Sequence, residues 1–82
     1  MAMVDRLLRE QATVAPTTEL DVIVTVEPGC GNDRLAAAGL VVVHRIERIN
    51  AVSGTLQAGK LDSLAALPGV VRIEADAPMR AF

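Results

Sequence analysis

The sequence predicts an α+β domain whose elements run in the order βαββαβ, and three observations predict it. Four segments rich in Val, Ile and Thr read as strands, and two Leu-Ala-Ala segments between them read as helices. The third observation is a weak internal repeat. Leu35-Ala36-Ala37 and Leu64-Ala65-Ala66 are each followed, after three intervening residues, by a Val-Val pair, Val41-Val42 and Val70-Val71.

Along the chain, Met3, Val4, Leu7 and Leu8 fall on one helical stripe, which predicts a short amphipathic helix over residues 3–12. Ala15-Pro16-Thr17-Thr18 breaks it and reads as a linker. Asp21 to Glu27 is β-branched and apolar on both faces, as a central strand is. Pro28 to Asn32 turns the chain, Asn32 or Asp33 caps a helix through Arg34–Ala38, and Gly39 stops that helix. Val41–Ile49 is the second strand, Asn50 a turn, and Ala51–Gln57 the third strand. After Gly59, a second helix runs from Leu61 to Leu67 and ends at Pro68-Gly69, before a last strand over Val70–Ala77.

Two βαβ halves with right-handed crossovers build a ferredoxin-like sandwich: a four-stranded antiparallel sheet, two helices on one face, and the other face open. The expected organisation is an N-terminal helical extension and linker (1–18), the βαββαβ domain (19–77) and an extended C-terminal tail (78–82). Pro78 cannot donate a ladder hydrogen bond and biases Ala77 to extended backbone, so the sheet is expected to stop there.

Composition narrows the function. Eighty-two residues make one domain with a thin stability margin. The chain is 51% hydrophobic but 1% aromatic, so its core must be Val, Leu, Ile and Ala. A net charge of −2, without a basic run, argues against a nucleic-acid partner. The first ten residues carry charges where a signal peptide needs an apolar core, and no stretch approaches the ~20 apolar residues of a membrane span. A cytoplasmic protein without a membrane partner is therefore expected. Cys30 is the lone cysteine and His44 the lone histidine, while Lys60 shows no apolar burial pattern. No catalytic residue, metal site or cofactor is expected, and the chain does not read as an enzyme.

The stretch Ile49-Asn50-Ala51-Val52-Ser53-Gly54-Thr55-Leu56 is followed by Leu61 and Leu64, then by Leu67-Pro68-Gly69-Val70-Val71-Arg72-Ile73-Glu74-Ala75-Asp76. In order and spacing these residues resemble the propeptide of subtilisin-like proteases, the inhibitor I9 family, which includes free-standing inhibitors. The resemblance runs from about Val42 to Phe82, is looser over residues 21–40, and does not extend to residues 1–18.

It implies the same βαββαβ sandwich, acting as an inhibitor, and further as a folding chaperone, of a subtilisin-like serine protease. The open sheet face would pack on two parallel helices of the enzyme. Glu74 and Asp76, two apart on a strand, would meet the N-termini of those helices. The segment Met79-Arg80-Ala81-Phe82 would lie in the cleft like a cleaved product, with Phe82 in the primary pocket and Met79 in a second apolar pocket. Phe82 is the sole aromatic residue of the chain. Gly54 has two readings: close approach of protease backbone, or relief of crowding within the sheet. The competing expectation is a ferredoxin-like regulatory module that binds a small molecule as a homodimer.

Overall fold

The computed structural model describes residues 2–76. They form β1 (Met3–Val4), α1 (Arg6–Val14), β2 (Glu19–Val26), α2 (Asn32–Ala37), β3 (Val41–Ile46), β4 (Ala51–Gln57), α3 (Leu61–Ala65) and β5 (Val70–Ala75), with 3-10 turns at Glu47–Ile49 and Ala58–Lys60. The architecture is α+β, with one sheet in the order β1-β5-β2-β4-β3. β2 lies between β4 and β5 and is antiparallel to both, the central place that its two apolar faces demand. β3 pairs antiparallel with β4 and forms the far edge, its register broken by a bulge between Val42 and His44.

Alternation along β2 sends Leu20, Val22, Val24 and Val26 to one side. There they join Val52 and Leu56 of β4, Ile73 of β5, and helix residues Leu8, Leu35, Leu61 and Leu64 in one buried cluster. All three helices thus bury their apolar side chains against the same sheet face. Each fully buried Leu, Ile or Val contributes about 1.5–3 kcal/mol relative to exposure, which is how a core without aromatics holds together.

The helices are short, and tertiary contacts hold them. α2 ends in a Schellman turn: Leu40 N–H donates to the Leu35 carbonyl, and Gly39 N–H to that of Ala36, at 3.0 Å each. Gly39 takes the positive φ of 108° that this turn requires, and Leu40 is buried beyond it.

Three expectations need correction. The sheet has five strands and is mixed, not four-stranded and antiparallel, because Met3 and Val4 pair in parallel with Arg72 and Ile73 of β5. The helical stripe expected over residues 3–12 therefore begins only at Arg6. Asp5 decides the boundary: its carboxylate accepts from the Leu7 N–H at 2.9 Å, capping α1, while its own N–H donates to the Ile73 carbonyl at 3.0 Å. The gain is a covered β5 edge, which would otherwise present unpaired backbone groups.

The third correction concerns α2. Gly31 is its N-cap, and neither Asn32 nor Asp33 caps the helix. Asn32 Oδ1 instead accepts from Arg45 Nη1 at 2.8 Å, joining α2 to β3. The side-chain cap that does form is on α1, and Asp5→Ala is expected to cost about 1 kcal/mol in urea unfolding. An unchanged midpoint would show that the β1–β5 pairing, not the cap, sets the start of α1.

Candidate functional site

The sheet face opposite the helices is open, and the strand registers order its residues into three rows. Ile46, Ala51, Thr25 and Arg72 make one row, and His44, Ser53, Ile23 and Glu74 the next. Val41, Thr55 and Asp21 make the third, which Asp76 extends by donating its N–H to the Asp21 carbonyl at 2.9 Å. The two central columns are mostly short and uncharged: Ala51, Ser53 and Thr55 on β4, and Ile23 and Thr25 on β2. Ala51 is buried, and the other four are half-buried without joining the core cluster. Such a surface is flat and can meet another flat or gently convex surface without displacing long side chains.

Charge gathers at one border. Arg72 and Glu74 stand two apart on β5 and point the same way, with Arg72 Nη1 3.7 Å from Glu74 Oε1. That distance is an ion pair beyond hydrogen-bond range, on half-exposed side chains, and it constrains Glu74 weakly. Asp76 and Asp21 continue the acidic border at the end of the sheet. The structure therefore brings Glu74 and Asp76 to one edge of the open face. Met79, Arg80, Ala81 and Phe82 lie outside the described residues.

Other residues singled out in the sequence fall elsewhere. Gly54 sits in register with Val22 on the helix-covered side, and a Cβ there would stand 2.3 Å from the Val41 carbonyl oxygen. Its missing side chain makes room for the chain's own β3, so the crowding explanation holds and the close approach of a partner does not. Cys30 is buried against Gly69 and packs in the core. His44 is exposed on β3, and Ser53 Oγ reaches its carbonyl only at 3.5 Å. Lys60 is exposed.

Sequence reasoning did not single out Ile23, Thr25 or Asp21 for the open face. The signal was present: a strand apolar on both faces, in a domain with helices on one face, must show its second apolar set outward. No helix among the described residues is long and apolar enough to cross a membrane. The chain matches no family model, no curated protein and no solved structure.

Proposed function

We propose that this chain inhibits a subtilisin-like serine protease, using the open sheet face as a platform and residues 78–82 as a product-like strand in the cleft. The observation that carries this reading is the open face: a flat, uncharged centre of Ile23, Thr25, Ser53 and Thr55, with Glu74 and Asp76 along one border. Protease helices laid across the flat centre would point their N-termini at those carboxylates. Orphan N–H groups and the helix dipole favour a carboxylate there by about 0.3–1 kcal/mol each. Asp76, the last described residue, stands at this border, so a segment that follows it begins next to where the helices would lie.

The antiparallel order β5-β2-β4-β3, with α2 and α3 as the connecting helices, supports the ferredoxin-like reading. On that reading β1 and α1 are an addition that covers the β5 edge.

Titration against a subtilisin with a chromogenic substrate tests the proposal. Micromolar protein with intact Phe82 is expected to suppress the rate. Ser53→Arg places a long cation in the middle of the open face and should raise the inhibition constant at least about tenfold, the cost of burying one unpaired charge in part. Circular dichroism should be unchanged, because Ser53 is outside the core. An uninhibited protease ends the proposal. Equal inhibition by Ser53→Arg would move the contact off the sheet face.

A further inference from the structure

Beside the acidic border, at the end of the sheet, an open groove of about 570 Å³ runs between α1 and the start of β2. Its apolar walls include Leu7, Leu8, Val14, Leu20 and Ala75, and Glu10, Glu19, Asp21 and Asp76 stand along its edge, the three strand carboxylates on the side of the open face. Among the described residues no Lys, Arg or His lines it. The ion pairs among the described residues join Arg9 to Asp62, Arg45 to Glu47 and Arg72 to Glu74, and none engages these four carboxylates. Leu7 and Val14 are 54% and 84% exposed although they stand on the groove wall. An apolar trough with an acidic edge that no cation among the described residues neutralises calls for an occupant that pairs apolar side chains with a cation.

We propose that the groove is the resting dock of the chain's own segment 77–82. Three observations select this occupant. Asp76, the residue before the segment, lines the groove, so the segment is delivered to its mouth. The composition is complementary: Arg80 stands between the apolar Met79 and Phe82. The third is the backbone. Asp76 N–H donates to the Asp21 carbonyl at 2.9 Å, so the next antiparallel bond of the ladder would join residue 78 to the Glu19 carbonyl. Residue 78 is proline, with no N–H to give, and the chain must leave the ladder where the groove opens.

Reach is sufficient. Six residues extend up to about 20 Å, whereas Leu7 to Val14 along α1 spans about 10 Å at the helical rise. Tethering gives the segment a local concentration on the order of millimolar, so weak contacts are enough to hold it. Its consequence for inhibition rests on the function proposed above; the docking does not. A tail held in the groove nine-tenths of the time leaves about one-tenth of the molecules ready for a protease cleft, which weakens apparent affinity about tenfold.

The chain has no tryptophan, so Phe82→Trp in the full-length protein reports the end of the segment alone. Docking predicts a blue-shifted emission protected from acrylamide. Both signs should be lost in Leu7→Asp/Glu10→Lys, which alters exposed groove residues away from the open face. They should also be lost in Arg80→Glu, which changes no residue of the described elements. High salt should release the probe in part, because the rim acts through charge. Emission and quenching equal to those of a free tail peptide, and unmoved by any of these changes, overturn the dock. In the protease assay Leu7→Asp/Glu10→Lys should then inhibit about tenfold more tightly than its parent. Fluorescence judges the dock even if no protease is inhibited, and inhibition judges the function even if the probe is free.

Discussion

Gly54→Ala is expected to destabilise the fold by about 3 kcal/mol, near the upper end for overpacking, because the obstacle is backbone. The new Cβ would meet the Val41 carbonyl oxygen at 2.3 Å and its carbon at 3.1 Å, with Leu40 Cδ1 at 3.2 Å. A side chain could rotate away, but a carbonyl on the neighbouring strand can move only with β3 itself. In a domain this small each kcal/mol moves Tm by roughly 4–8 °C, so a fall of about 12–24 °C is expected in calorimetry. Gly31→Ala is the control: no atom lies within 4 Å of its Cβ position, and its φ of −82° suits any residue. It should cost less than about 1 kcal/mol, the difference between helix N-caps. Equal melting of the two variants would mean that β3 is not held as closely to β4 as the structure has it. Because Gly54 faces the helix layer, its replacement should alter protease inhibition only through the folded fraction.

Why this glycine was ambiguous in the sequence shows where sequence reading runs out. Alternation within a strand gives a residue's face once one neighbour is known to be buried, and that logic put β2 in the centre. It cannot say what lies across the sheet. The obstacle at Gly54 belongs to Val41, thirteen positions earlier, beside a bulge at Val43 that no local pattern announces. Asn32 is a similar case: beside a helix start it has the chemistry of a cap, but Arg45 of a distant strand takes its carbonyl oxygen.

The N-terminus failed for a different reason. Two residues are too few to display a strand period, so Met3 and Val4 were absorbed into the helical stripe of Leu7 and Leu8. The aspartate between the two pairs was the available boundary signal. Of that stripe only Leu8 is buried; Met3 and Leu7 are largely exposed. By contrast Ala51–Gln57 has the same limits in sequence and structure, since a hairpin strand between a left-handed Asn50 and a closing turn is specified locally. The shared face of Glu74 and Asp76 was legible because residues two apart on a strand point the same way. The platform beside it was not, because it is assembled across β2 and β4.

Removal of Met79–Phe82 is expected to weaken inhibition by about 10²-fold and to leave the fold intact. Two apolar anchors, Phe82 and Met79, would each contribute about 1.5–3 kcal/mol on burial in protease pockets. Ordering each side chain offsets about 0.5–1.5 kcal/mol of that. A net of about 2.5 kcal/mol, taken from the middle of these ranges, at 1.4 kcal/mol per decade gives nearly two decades. The described elements end at Ala75 and their buried core cluster runs from Leu8 to Ile73, so the fold is expected to survive the deletion. Far-UV circular dichroism should therefore superimpose on that of the parent. Single replacements should divide the effect, with Phe82→Ala and Met79→Ala each costing about tenfold or more. Loss with Phe82→Ala but none with Met79→Ala would place only the last residue in a pocket. Undiminished inhibition by the truncated chain would mean that the sheet face alone obstructs the enzyme and that no product-like strand is bound. The measured ratio also constrains the dock on α1. Truncation removes the resting contact together with the inhibitory one, whereas opening the groove removes only the first. The two changes must therefore shift the inhibition constant in opposite directions if one segment serves both sites.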